Sequence, residues 1–376
     1  MSPNIENESS RISVQELKRE LLAFAHELGF ASCRIATCDP PPHTTELQTW
    51  LQGNAHGEMS YMERGEEKRC DPQKVLRGAR SMIVLALNYF QGEQVQRSSR
   101  QIGTTGRIAR YAWGDDYHDL IATKLDRIDE FLREFGGQQK CYVDTGPVLE
   151  RDHAAQAGTG WHGKSTMLID ERLGTWFFLA EVLTTLELPP DEPVSDRCGT
   201  CERCIKACPT GAITAPHRLD ARLCISYLTI ELKGSIPLDL RPLIGDRIFG
   251  CDDCLDACPW NRFAQVSREA AFSARPSTVG MTLRDYLSLS DDEFRALFRK
   301  SPIKRIKRRG LLRNVCVALG NIGNLSDLPA LERAATEPEP LIAEHAKWAI
   351  HQIRSRHGIS PSSWRARTDL MQGGGN

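Results

Sequence analysis

No apolar run in the 376-residue chain is long enough to span a bilayer, so no transmembrane helix is expected. The opening stretch, "MSPNIENESSRISVQELKRE", lacks the apolar core of a signal peptide. A soluble cytoplasmic protein is therefore expected. Neither sign of charge is in surplus. The 48 Lys and Arg against 49 Asp and Glu leave a net charge of −1, which excludes a whole-molecule attraction to nucleic acid. Any such signal must be local. Asp-Thr-Gly occurs once, at 144–146, so an aspartic-protease dyad would need a dimer mate. In a reducing compartment the 13 cysteines are not expected to form a disulfide set.

"GTGWHGKS" (158–165) has the spacing of a phosphate-cradling P-loop, but that loop must follow a strand and open a helix. Here the order is reversed. The stretch "VLERDHAAQAG" before it has helical character, and "STMLID" and "TWFFLAEVLTT" after it read as two strands joined by the turn "ERLG". The P-loop reading is set aside. The glycines still permit close backbone approach, and Lys164 still offers a positive charge.

Elsewhere, Ser13 and Glu16 have capping-box spacing, and Leu17, Leu21, Phe24, Ala25 and Leu28 keep one helix face up to Gly29. "SMIVLALNYF" (81–90) reads as a buried strand, "DYHDLIATKLDRIDEFLREFGG" as an amphipathic helix and "CYV" (141–143) as a short strand. "ELPPDEPVSDR" (187–197) is a Pro-rich linker, and a second boundary lies near 273–282. Beyond it, Ala318, Leu319 and Ile322 recur as Ala349, Ile350 and Ile353, an offset of 31 residues that suggests a HEAT-type helical repeat. "DLMQGGGN" at the end reads as a disordered tail.

The strongest signal is the cysteine cluster. Cys198-x2-Cys201-x2-Cys204-x3-Cys208-Pro is the bacterial ferredoxin run, in which the fourth cysteine serves the other cluster. Cys251-x2-Cys254-x3-Cys258-Pro repeats its last three cysteines, with Ile248 where the first would stand. Two [4Fe–4S] clusters need an eighth thiolate, and Cys224 lies between the motifs. Crossing gives Cys198, Cys201, Cys204 and Cys258 to one cluster, and Cys208, Cys224, Cys251 and Cys254 to the other. A pair of zinc sites is the rival, but zinc favours paired C-x2-C sets. Cys33, Cys38, Cys70, Cys141 and Cys316 lack such spacing and are expected to be buried small hydrophobes. Clusters carry electrons and do no bond chemistry themselves, so the long region ahead of them must hold an acceptor.

With "AWGDDYHDL", "VDTGPVLERDHAAQAGTGWHGKSTMLI", "CISYLTIE" and "IGDRIFGCDDCLDACPWN" added to the cluster, the chain resembles the epoxyqueuosine reductases over nearly its whole length. The resemblance implies a multi-domain α+β protein in three parts: an α/β cobalamin-binding region over 1–187, a ferredoxin-like module with two [4Fe–4S] clusters over 188–275, and a helical HEAT-like tRNA-binding domain over 276–376. It implies reduction of epoxyqueuosine to queuosine at the wobble position of tRNA, the last step of queuosine biosynthesis, in a cytoplasmic monomer fed by an external donor such as a flavodoxin or ferredoxin system.

The catalytic acid it implies falls on Asp144, which read alone is a turn former after a strand. Cobalamin contacts fall on Arg69, Asp144, Lys164 and Ser226. Tyr111, Trp113 and His118 are candidates for the pocket wall, and Ala109 can have no polar side-chain role. No DxHxxG signature of the usual histidine-on cobalamin domain occurs. Lys304, Arg305, Lys307, Arg308, Arg309 and Arg313 form a local basic run, expected to contact tRNA phosphates rather than to be a plain solvated face. Two rivals remain: a cobalamin-dependent reductase of the dehalogenase kind, acting on a small molecule, and a ferredoxin-type electron carrier.

Overall fold

The computed structural model describes residues 12–92 and 104–359; the expected tail at 369–376 lies outside them. Helix α1 (Val14–Glu27) begins with the expected capping box between Ser13 and Glu16. Strands β1 (Ser32–Thr37) and β2 (Ser81–Asn88) follow, then helix α2 (Tyr117–Arg133), strand β3 (Gln139–Tyr142), helix α3 (Glu150–Gln156) and strand β4 (Phe177–Thr184). The sheet order is β1-β2-β4-β3, and every pair in it is antiparallel.

The expected α/β region is therefore corrected to an antiparallel α+β sheet. The reason lies in β2. Its continuous apolar run reads like a parallel strand because both faces are covered. Ile83, Leu85 and Leu87 pack under α1 and α2, while Met82 and Val84 pack against Ala154 and Ala157 at α3. Coverage on both sides needs helices on both faces, not parallel strands.

"GTGWHGKS" lies where helix gives way to hairpin, as the sequence indicates. Trp161–His162 pairs antiparallel with Leu168–Ile169. The expected hairpin of "STMLID" with "TWFFLAEVLTT" is corrected to a single bridge, Asp170 to Gly174, because 168–169 pairs backwards and β4 joins the main sheet. The glycines serve packing. A Cβ on Gly158 would sit 2.1 Å from the Glu192 carbonyl oxygen, and one on Gly160 would sit 2.3 Å from that of Ile169.

The Pro-rich stretch is pinned rather than free. Asp191 accepts the Ile35 N–H at 2.8 Å and pairs with Lys18 at 2.8 Å. Downstream, Arg107–Ile108 pairs with Arg247–Phe249, which joins the N-terminal region to the cysteine module. Ile248 and Phe249 also share a core with helices α4 (Lys307–Ile322), α5 (Leu328–Ala334) and α6 (Pro340–Arg356). The repeat correspondence holds at Ala318 and Ala349, both fully buried. It fails at Ile322, which is 44% exposed where Ile353 is buried. Of the cysteines outside the motifs, Cys38 and Cys316 are buried as expected, whereas Cys33, Cys70 and Cys141 are only half-buried.

Candidate functional site

Asp144 leaves the end of β3 with φ +54°, a left-handed conformation that Asp tolerates better than most residues. Its side chain is 55% exposed. Three groups hold it. The Tyr117 hydroxyl donates to Asp144 Oδ2 at 2.5 Å, His118 Nε2 lies 3.8 Å from the same oxygen, and the Asp144 N–H donates to Glu150 Oε1 at 2.8 Å. Both aromatic residues come from the first turn of α2, whose N-cap is Asp116. Asp116 also takes His118 Nδ1 at 2.8 Å, which leaves Nε2 aimed towards Asp144. Burial and the Asp144 carboxylate push the Tyr117 phenol far above its ordinary range, so it donates rather than ionises.

Below this lies an unusual carboxylate pair. Glu181, on β4, is fully buried and its carboxyl shares a side-chain hydrogen bond with that of Glu150. Burial and the neighbouring Glu150 push it well above the usual glutamate value, and burial together with Asp144 pushes Glu150 up to about 7. The pair thus retains a proton at neutral pH.

Sequence reading missed Tyr117, Glu150 and Glu181. The one available signal was Glu181 itself, a lone acid within the buried run "FFLAEVLT". His118, expected as a pocket wall, sits beside the acid. Tyr111 packs edge-on against Tyr117 at 6.0 Å. Trp113 is structural, donating to the Ile108 carbonyl at 2.8 Å. Ala109 is buried, and a Cβ on Gly250 would come within 2.6 Å of its methyl.

The other named residues divide. Arg69 is 9% exposed and spends one donor on the Tyr61 carbonyl at 3.3 Å. Glu150 lies within electrostatic reach of it. Ser226 precedes a π-helical turn, Tyr227–Glu231, and its hydroxyl and amide face the Cys224 thiol. Lys164 donates to the Gly199 carbonyl at 2.7 Å, inside the first cysteine motif. Among the described residues no hydrogen bond or ion pair joins it to Asp144.

The cysteines of each expected quartet lie near one another. Cys258 lies within electrostatic reach of Cys198, Cys204 and Cys201, and Cys254 within reach of Cys224, Cys251 and Cys208. Burial raises Cys258 to about 11 and Cys251 to about 12. Buried thiols gathered in fours stabilise thiolate only with a bound metal. A single zinc at ~2.3 Å from each sulfur would place the sulfurs only about 3.8 Å apart. Among the described residues no three cysteine sulfurs lie within 4.8 Å of one another.

The basic run is not one surface. Lys304 pairs with Asp116 at 3.3 Å and Arg305 with Glu231 at 2.7 Å, which turns both towards the Asp144 site. Arg308 is tied to Glu337 at 2.6 Å. Lys307 and Arg309 are exposed. Arg313 corrects the expectation. It is 1% exposed and donates to the carbonyls of Leu228, Leu232 and Gly234, so it cannot reach a phosphate.

Comparison with known proteins bears on this geometry. Residues 197–261 match the family model for a 4Fe-4S double cluster binding domain, and residues 69–145 the model described as epoxyqueuosine reductase QueG, DUF1730. Epoxyqueuosine reductase of Salmonella typhimurium is 41% identical over 353 residues, covering 93% of this chain and 92% of that one. The Escherichia coli protein of that name is 40% identical over 352 residues, covering 92% and 91%.

The chain belongs to the epoxyqueuosine reductase family.

A crystal structure of an epoxyqueuosine reductase with an epoxyqueuosine-modified tRNA-Tyr stem loop superposes with TM-score 0.83 at 29% identity, covering 97% of this chain and 96% of that one. A Bacillus subtilis epoxyqueuosine reductase, with its catalytic loop swung out of the active site, gives 0.83 at 32%, covering 91% of both. Like its relatives this chain is an oxidoreductase, and its 197–261 region is a double [4Fe–4S] cluster domain.

Proposed function

We propose that the chain reduces epoxyqueuosine to queuosine in tRNA, with Asp144 as the proton donor. Removing the epoxide oxygen as water leaves a carbon–carbon double bond and consumes two electrons and two protons. Cobalamin, when bound, supplies the reducing metal centre for that oxygen's removal, and the two [4Fe–4S] clusters supply it with electrons from an external flavodoxin- or ferredoxin-type donor. The observation that carries the acid's role is the 2.5 Å bond from Tyr117 to Asp144 Oδ2. Tyr117 orients one oxygen and leaves the other to face an exposed approach.

Arg69 and Ser226 fit a corrin rich in amides. Arg69 is a buried guanidinium with spare donors, and Ser226 adjoins a cluster ligand, Cys224. Lys164 would contribute from the side of the first cysteine motif. In this reading the C-terminal helices are a HEAT-like platform for tRNA, and Lys304, Arg305, Lys307 and Arg309 are its cations. The absence of any described helix long and apolar enough to cross a membrane fits a cytoplasmic enzyme. The test is nucleoside analysis of epoxyqueuosine-containing tRNA after incubation with reduced holoprotein. Queuosine should replace epoxyqueuosine, and unchanged nucleoside would defeat the reading.

A further inference from the structure

Away from Asp144, three segments converge on one carboxylate oxygen. His43, at the N-cap of the helix Thr44–Gln52, places Nδ1 2.9 Å from Asp152 Oδ1. His162, on the short strand Trp161–His162, places Nε2 3.0 Å from the same atom. Asp152 is 4% exposed, and its other oxygen already accepts the His43 N–H at 3.1 Å. The three ligand atoms lie within 4.8 Å of one another.

Two details separate this from an ordinary hydrogen-bonded triad. His162 Nε2 is buried 3.0 Å from Asp152 Oδ1 without a well-aligned hydrogen bond, so its contact with the carboxylate is chiefly electrostatic. Gln156 Oε1 is also buried without a partner, and it borders the same cavity of about 370 Å³, which Asp196 and His217 line as well. A buried amide oxygen without a partner, beside an imperfectly aligned imidazole, costs free energy unless something binds there. Burial opposes ionisation of Asp152, but His162 and His43 outweigh it and hold the carboxyl below its ordinary value. The oxygen is therefore an anionic donor at neutral pH.

We propose that His43, Asp152 and His162 bind one divalent transition-metal ion of the zinc class, at a site separate from the cysteine clusters. Two imidazoles and a carboxylate suit such an ion, with Zn–N and Zn–O at ~2.0–2.2 Å. The two His–Asp spacings, 2.9 and 3.0 Å, need to open by roughly half an ångström to accept ligands at those bond lengths. Further coordination positions would face the cavity. Pro193, Val194 and Asp196, which also border it, lead directly into Cys198. The ion would thus tie the β1 exit, helix α3 and the hairpin together beside the approach to the first cluster.

The test titrates holoprotein, with clusters and cobalamin loaded, with Zn²⁺ by calorimetry, followed by desalting and elemental analysis. Wild type should retain one zinc per chain with its iron undiminished, and its thermal midpoint should rise with zinc. His43→Ala, which truncates a half-exposed ring, and Asp152→Asn, nearly isosteric, should each weaken zinc binding by at least ~100-fold and lose the thermal shift. Wild type that retains no zinc, or variants that bind it as tightly as wild type, would overturn the proposal. Iron lost as zinc is gained would place the zinc in the clusters and overturn it equally.

Discussion

Tyr117 holds Asp144 through a 2.5 Å bond from a ring that cannot easily move. The ring stacks on Phe178 at 4.1 Å and 8° and on His118 at 4.0 Å. Tyr117→Phe keeps the stack and deletes only the donor. As Asp144 gives up its proton it becomes a carboxylate, and a hydrogen bond to a charged group contributes about 1.5–3 kcal/mol, so turnover should fall roughly 10–100-fold. Apparent affinity for tRNA should stay within about twofold, since only the orientation of the acid changes. Steady-state kinetics that separate kcat from KM provide the check. A change confined to KM would assign Tyr117 to substrate binding instead.

Asp144→Ala should retain both clusters and cobalamin uptake and lose most turnover. A positioned proton donor is worth on the order of 10²–10⁴-fold. Turnover within about threefold of wild type at every pH tested would remove Asp144 from the reaction.

The Glu150–Glu181 pair makes a sign prediction. Both groups titrate above the ordinary value of 4.5, driven first by burial, so the folded protein holds more protons than the unfolded chain between that value and about 7. Where the native state binds more protons, stability falls as pH rises. The holoprotein should therefore lose stability from this pair as pH climbs through that window. Glu181→Gln, neutral at every pH, should flatten the fall and be more stable than wild type at pH near 8. Chemical denaturation at several pH values reads this directly, and a variant as pH-sensitive as wild type would mean that another group is responsible.

Cys224→Ser should lose about half of the roughly eight iron atoms expected for two cubanes, because only one quartet contains Cys224. Iron analysis after anaerobic reconstitution decides it. Full iron content would return the eighth-ligand question to the half-buried Cys33, Cys70 and Cys141.

Sequence legibility followed covalent spacing. Cysteine spacing marks a double-cluster module because motif geometry is local, and counting thiolates points to Cys224 as the eighth ligand. Asp144 was accessible only through resemblance, because a lone Asp in a turn has no local signature. Tyr117 and Glu181 reach the site from elements far apart in the chain, and Glu150, six residues past Asp144, carries no local signature that marks it. The strand β2 was found, but its antiparallel pairing was not. An apolar run records that both faces are covered and says nothing of strand direction.

The basic run needs the structure to sort it. Six cations in one stretch look equivalent in sequence, yet Arg313 caps three backbone carbonyls in the interior and Arg308 is bound to Glu337. Lys304 adjoins the Asp144 site, while Lys307 and Arg309 face outward. Replacing Lys304, Lys307 and Arg309 together with Gln should weaken tRNA binding and flatten its salt dependence. For every phosphate left without its cation, the log–log slope should drop by about 0.7–0.9. Arg313→Gln should behave differently. It strands buried carbonyls, so it should lower the thermal midpoint while leaving the slope of whatever protein stays folded unchanged. Fluorescence titration of full-length tRNA over a fourfold range of salt distinguishes these outcomes. A triple variant with the wild-type slope would mean that neither the outward face of the C-terminal helices nor Lys304 beside the Asp144 site touches the tRNA backbone.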